Sequence, residues 1–396
     1  MSPSGSAALA SNVAFDPVGE FPSLRDRVFL NHSAVAPLPA RTAGAMARWL
    51  EQAQASVAED WAGWAAALRR ARTQTARLLG AKTEEIAFVH NTTHGLLCVA
   101  NSLRWRPGDN VVTAAHEFPA NVHPWRNLAA RGVALRAAPE REGRFDVADL
   151  AGLIDRRTRL VAVSLVQYST GFRMPVEALA EICRPRGILL CLDGIQGIGA
   201  LAVDVDGLGC DFLAADGHKW LLGPEGFGAL YVRASALDQL NEAMTGWQGR
   251  LHPGHYDDLA QPLKPTAERL EEGTRALGLA IGFEQSTGLL LEVGLRRVWE
   301  AIEGLTDQLV AGLRSLGFTV ISPRGPAEKS GIVAFVEDGM DATQWQRALA
   351  ERKIFVAARR GWLRASPHFY NQPRQIEALL QALRELKLGR GVAGLA

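Results

Sequence analysis

From Ile86 to Asp193 the chain repeats one arrangement: an apolar run, a polar turn, then apolar residues at helical spacing. Residues 86–89, 111–114, 133–137, 160–166 and 188–192 read as strands. Helices are expected over 95–103, after HEFPANVHPW through Ala130, over 147–154 and over 176–183. Continuously apolar strands alternating with helices imply a mainly parallel sheet covered on both faces. Ligands of such sheets gather at the carboxyl ends of the strands. The rhythm closes on DFLAADGHKWLLGPEGFGALYV, from Asp211 to Val232: a strand, a polar turn around Lys219, a glycine-rich stretch and a second strand.

Upstream, alanine, leucine, arginine and tryptophan recur at helical spacing from Ala40 to Leu79. Gly63 is the serious interruption there, which suggests two long helices, and Gly80 supplies the stop. Before them VFLNHSAVAPL has loop chemistry. Downstream, 247–264 reads as a long loop and 276–316 as two helices. Short strands follow at 318–321, 331–336 and 354–357, with a helix between the last two and another from Pro373. The expected division is a flexible start over 1–13, a large α/β domain over 14–275, and a small α+β domain over 276–396. The N-terminal segment of the large domain is free to pack on the small one.

A chain of 396 residues exceeds what one core normally sustains, so more than one domain is expected. A formal net charge of +1 removes the global electrostatic case for nucleic acid or an anionic membrane as partner. No apolar run approaches a membrane span, and the opening MSPSGSAALASN lacks a basic region followed by an apolar one. Cys98, Cys183, Cys191 and Cys210 show no C-x-x-C spacing and read as buried free thiols in a reducing compartment. The expectation is a cytoplasmic protein.

Lys219 follows His218 and precedes Trp220, Leu221 and Leu222, an apolar shoulder that would desolvate the amine. A desolvated amine has a lowered pKa and forms Schiff bases with aldehydes, whereas an ordinary surface lysine between strands does neither. Asp193 closes the strand GILLCLD, and a buried acid requires a partner. An acid and a lysine at strand ends are what pyridoxal 5'-phosphate chemistry uses, the acid keeping the ring nitrogen protonated. The NTTHG turn, Asn91 to Gly95, lies between a strand and a helix and is either an anion site or a plain helix cap. Phe118 in HEFPAN is either the cover of a flat cofactor or a core residue. His252, His255, Asp257 and Asp258 of HPGHYDD lack a known ligand spacing, and no metal is expected.

With these residues in view, the chain resembles the class V aminotransferase family of fold-type I pyridoxal-phosphate enzymes. That group holds cysteine desulfurases, selenocysteine lyases, kynureninases and isopenicillin N epimerases. The likeness runs from FLNHSA at Phe29 to LRASPHFYN ending at Asn371, and is strongest in LDGIQGIGALAVDV and CDFLAADGHKWLLGPEGFGALYV. It implies a seven-stranded-type large-domain sheet and pyridoxal 5'-phosphate on Lys219, which is also the proton shuttle at Cα. Asp193 would then partner the ring nitrogen and Gln196 the phenolic oxygen. His218 and Thr93 would bind the phosphate, helped by the backbone of Thr92 and His94, and Phe118 would stack on the ring. Thr274 in EEGTRA would reach the phosphate of a neighbouring subunit, making a homodimer with shared active sites. Arg364 in LRAS would grip the substrate carboxylate, with Arg359 as a second polar contact. Asn31, His32 and Tyr168 complete the substrate-side candidates.

Three departures from the pattern bear on the reaction. AARRGWLRAS is short and lacks the cysteine that desulfurases carry before the final arginine. Asp216 stands where many relatives have Ser or Thr near the phosphate, so it is expected to turn away or pair with a base. Tyr168 replaces a frequent Asn. The resemblance implies an enzyme acting at Cα or Cβ of an amino acid, an aminotransferase or a C–S/Cβ lyase. Epimerisation and desulfurase or selenocysteine lyase chemistry are the alternatives. A non-catalytic relative would not need Lys219, Asp193, His218 and Arg364 together.

Overall fold

The structure is a computed structural model that describes residues 16–393. The start expected to be flexible, 1–13, lies outside the described residues. The strands in chain order are β1 Val28–Phe29, β2 Ile86–Val89, β3 Asn110–Ala114, β4 Ala134–Ala138, β5 Thr158–Ser164, β6 Leu189–Asp193, β7 Phe212–Asp216 and β8 Gly228–Val232. Five more follow: β9 Thr319–Val320, β10 Val333–Val336, β11 Ile354–Phe355, β12 Ala357–Arg359 and β13 Trp362–Ala365. Numbering only helices of eight residues or more gives α1 Ala40–Ala55, α2 Val57–Leu79, α3 Thr92–Ser102, α4 Val176–Cys183, α5 Leu277–Val293, α6 Leu295–Ser315, α7 Ala342–Glu351 and α8 Pro373–Ala393.

Seven strands form the large sheet in the order β2-β8-β7-β6-β5-β3-β4. Only β8 runs against its neighbours, so β2, β3, β5, β6 and β7 deliver their carboxyl ends to one edge. Both faces are covered, as the uninterrupted apolar strands require: Val161 and Val163 of β5 enter one core, Leu160 and Ala162 the other. A smaller antiparallel sheet, β12-β13-β10-β9, has its own core with α6, α7 and α8. The N-terminal chain crosses to it, since β1 pairs in parallel with β11 and Leu30 joins its core. Buried residues of α5, among them Leu277, Ala280 and Phe283, pack in the core of the large sheet, while the small sheet's core begins at Leu305 of α6.

Several local expectations need correcting. The break between the two long helices is at Ser56, whose φ of −158° leaves the helical region, and Gly63 lies inside α2. One mid-helix glycine costs only about 1 kcal/mol, which the buried face of a long helix exceeds. Thr92 and Thr93 are the first turn of α3, capped by Asn91, and not a turn before it. The helix expected after HEFPANVHPW through Ala130 is the short 3-10 turn Asn127–Arg131, and HEFPANVHPW itself, broken by two prolines, carries the short turns Pro119–Asn121 and His123–Arg126. AARRGWLRAS is a hairpin: Arg359 pairs with Trp362 around Arg360 and Gly361, whose φ values of 51° and 84° give a two-residue turn.

Candidate active site

The shared strand edge builds a cavity of about 290 Å³. After β2 come Asn91, Thr92 and Thr93; after β3, Phe118 and Ala120; after β5, Tyr168. Asp193, Ile195 and Gln196 follow from β6, and Asp216, His218 and Lys219 from β7. Ser33, Ala34 and Val35 close one side, and Arg359 and Arg364 reach in from the small sheet. The sequence candidates outside it are Asn31, His32, His94 and Thr274.

Lys219 is held by a tight turn. Leu222 adopts a left-handed φ of 57° and its N–H donates to the Lys219 carbonyl at 3.1 Å. Gly199 passes so close beneath that a Cβ there would meet the Trp220 carbonyl at 2.3 Å. The Trp220 indole N–H donates to Gln196 Oε1, and Gln196 Nε2 donates to the Ser33 carbonyl, both at 2.9 Å. These bonds tie the turn to the β6 end and the N-terminal loop. Lys219 is 8% exposed, and among the described residues its amine has no hydrogen bond or ion pair. Burial lowers its pKa to about 8; Asp193 opposes the shift, and Arg364 adds to it.

Asp193 is buried and accepts one hydrogen bond, from Ile195 N at 3.0 Å. Burial pushes its carboxyl up to about 6 against that bond and the Lys219 charge. Asp216 pairs with a base, its Oδ2 lying 2.9 Å from His218 Nδ1, though out of line for a hydrogen bond. Its other oxygen accepts from Gly217 N at 2.7 Å, and its own N–H donates to Thr92 Oγ1 at 3.0 Å. Phe118 stands edge-on to Tyr168, with the Lys219 amine 5.5 Å from its ring centre.

Arg364 is the most costly group here. It is 1% exposed, its guanidinium donates to the Tyr168 carbonyl, and its Nε has no partner among the described residues. No carboxylate pairs with it among the described residues, and burial lowers its pKa to about 9. Such a cation is retained at a cost unless an anion arrives to share it.

The excluded candidates have other duties. His32 is fully buried between Ser366 O and Tyr370 Oη, and burial holds it well below its usual pKa. Asn31 forms a bridge to Ser366, just past the end of β13. His94 stacks on His90, and its N–H donates to the Asn91 cap at 2.9 Å. Thr274 lines separate cavities beside Glu272 and Trp49. HPGHYDD gathers no ligand cluster among the described residues. The grouping of His90, His94 and Glu272 does bring ligand atoms together, but His94 Nδ1 accepts from His90 N, leaving an N–H on the nitrogen that faces Glu272.

Sequence reasoning missed Glu117. His116 takes a left-handed φ of 58°, which sends Glu117 inward and Phe118 into the cavity. Glu117 accepts from both the N–H and the hydroxyl of Ser164, and burial raises its pKa to about 7. The signal available was an acid one position before Phe118 in an otherwise apolar environment.

A family model described as Aminotransferase class-V matches residues 28–379. A probable cysteine desulfurase of Methanothermobacter thermautotrophicus is 29% identical over 93% of this chain and 96% of its own. One of Pseudomonas aeruginosa is 34% identical over 82% and 84%. Among solved structures, the apo cysteine desulfurase of Thermococcus onnurineus superimposes with a TM-score of 0.86 at 28% identity, over 94% of this chain and 98% of that one. A cystine C-S lyase in complex with its product cysteine persulfide gives 0.86 over 92% and 99%; at 24% identity it speaks to the fold alone.

The cavity fits the cofactor such enzymes use. Pyridoxal phosphate needs an unpaired amine for its aldehyde, a buried acid for its ring nitrogen and donors for its phosphate. Lys219, the singly bonded Asp193, and the N-terminus of α3 with Thr92, Thr93 and His218 meet these needs. The chain belongs to the class-V aminotransferase family of pyridoxal-phosphate-dependent enzymes.

Proposed function

We propose that the protein is a lyase that breaks the Cβ–S bond of an α-amino acid. The observation that carries the reading is the unpaired, buried Arg364 beside the lowered-pKa amine of Lys219, in a cavity that no thiol lines. Cys98, Cys183 and Cys210 are pushed up to about 12 by burial, and Cys191 well above its usual value. A neutral buried thiol is a poor acceptor of sulfur, so sulfur leaves on a small molecule. The names of the desulfurase relatives support sulfur chemistry.

When bound, pyridoxal phosphate supplies an aldehyde for the substrate amine and a ring that takes up the electron pair left at Cα. Arg364 grips the α-carboxylate with a guanidinium fork. Lys219 Nζ, largely neutral above pH about 8, takes the Cα proton. The Cβ–S pair leaves with sulfur, so an S-substituted cysteine and water give a thiol, pyruvate and ammonium. Asp193 would hold the proton on the ring nitrogen, Gln196 would meet the phenolic oxygen, and Thr92, Thr93 and His218 would hold the phosphate. Phe118 would cover one ring face, with Tyr168 beside it.

The same reading makes the enzyme a homodimer. Thr274 lies outside its own cavity and borders an apolar hollow of about 340 Å³ lined by Met46, Trp49, Trp61 and Trp64, suited to a second copy. From there, Thr274 of the partner subunit would reach the phosphate. The four buried free cysteines support a reducing, cytoplasmic setting; among the described residues no helix is long and apolar enough to cross a membrane.

The test is product analysis of the cofactor-loaded protein on S-substituted cysteines and cysteine itself, beside a variant with all four cysteines changed to alanine. Thiol or sulfide with pyruvate from both proteins is expected. Alanine as the carbon product, with sulfur release lost in the four-alanine variant, overturns the reading.

A further inference from the structure

We infer that the substrate carries a second anionic group at the far end of its side chain, and that Arg359 receives it. The inference rests on the cavity being an amino-acid site.

In the β12–β13 hairpin Ala357 stands opposite Arg364 and Arg359 opposite Trp362. Cross-strand partners share a face, so Arg359 and Arg364 are diagonal neighbours on one face, about 7–8 Å apart at Cα. Both line the cavity, at different depths: Arg364 is fully buried at the floor, and Arg359 is exposed at the mouth. An α-carboxylate satisfies Arg364 alone. Arg359 then has nothing to meet, for its side chain donates only to the carbonyl of Ala358 at 2.8 Å and pairs with no acid among the described residues.

Its neighbour shows what a structural arginine looks like at this place. Arg360 is committed to Glu140 at 2.7 Å and lies over the Trp362 ring at 5.0 Å. The acids of the cavity leave Arg359 free, because Asp193 sits at the Lys219 end and Asp216 is turned to His218. Val35, Phe118 and Ala120 supply apolar wall in the same cavity. Floor cation, apolar wall and mouth cation together describe a cysteine thioether whose S-substituent is a short carbon chain ending in a carboxylate. The other anion that could occupy Arg359 is the cofactor phosphate, and the test separates the two.

The experiment compares S-carboxyethyl-L-cysteine with neutral S-propyl-L-cysteine on the cofactor-loaded protein. The preference is read as a ratio of Kd values, from perturbation of the cofactor's visible absorption, and as a ratio of kcat/KM. Wild type is expected to favour the carboxylate by about tenfold or more, the discrimination a charge-assisted fork supplies. Arg359→Gln brings both ratios near one, Arg359→Lys keeps part of the preference, and Arg360→Gln keeps it whole. Equal ratios in wild type overturn the inference. So does an Arg359→Gln protein that loses cofactor affinity with its ratios intact, which would give Arg359 to the phosphate. A Kd preference without thiol release supports the second anion and overturns the lyase reading instead.

Discussion

Asp216 Oδ2 lies 2.9 Å from His218 Nδ1 at the end of β7, so the acid that departs from the family pattern sits against the residue next to Lys219 in the chain. Both face the cavity where Thr92 and Thr93 open α3. Removing this carboxylate takes a negative charge from beside a phosphate dianion, while asparagine keeps the acceptor for Gly217 N. Asp216→Asn should therefore tighten binding of pyridoxal phosphate to the apoprotein by about tenfold or more, since Asp216 is buried and its charge is less screened than in water. Titration of the apoprotein with cofactor, followed by visible absorption, checks it; weaker binding would mean that the acid's grip on His218 matters more than its repulsion.

Asp193 must be ionised to hold a protonated ring nitrogen, and burial has moved its pKa up to about 6. Cofactor affinity should be level above that pH and fall as pH drops below it, since the protonated acid offers no charge to the ring. Affinity measured across the range in wild type and Asp193→Asn decides the matter. The variant is expected to bind weakly at every pH and to lose the step.

Glu117 makes a claim on stability. Its folded pKa is raised from 4.5 to about 7. The folded protein therefore binds the extra proton between those values. The stabilisation is fully present below the unfolded pKa and is lost as pH rises through about 7. Glu117→Gln keeps both bonds to Ser164, by accepting from its N–H and donating to its hydroxyl. It should be more stable than wild type at pH 8, by on the order of 2–3 kcal/mol, and the gain should vanish near pH 4. Denaturant midpoints of the apoprotein at the two pH values measure it.

Arg364→Lys preserves charge but loses the fork and the bond geometry to the Tyr168 carbonyl. Binding of an α-carboxylate should weaken by about 2–3 kcal/mol, carried by KM more than kcat. Steady-state kinetics on any accepted amino acid separate the two parameters; a fall in kcat alone would remove Arg364 from the carboxylate.

Much of this was legible in the chain. Uninterrupted apolar strands such as β6 and β7 mark a sheet buried on both faces, and an acid or lysine at their ends has only the carboxyl edge to occupy. Asp193 and Lys219 were readable for that reason. Arg364 was not readable by itself, because its burial depends on how the small sheet packs against the large one. The same holds for His32, which the sequence sets beside Asn31 and Ser33 in one loop. Only the fold decides that Ser33 lines the cavity while His32 turns away to Tyr370. Glu117 depends on a single left-handed residue, His116, a backbone choice that no periodicity predicts.

The turn at Arg360 and Gly361 has a consequence for traffic. Two residues closing a hairpin have no length with which to swing, and both flanking strands are locked in register. A protein that hands its product to another needs an arm that travels between the place of chemistry and the place of delivery. Here the hairpin that brings Arg359 and Arg364 into the cavity is a fixed wall, so under the proposed reaction the sulfur product departs as a solute. Its destination is then set by diffusion and by whichever acceptor in solution is most abundant, not by a docked recipient.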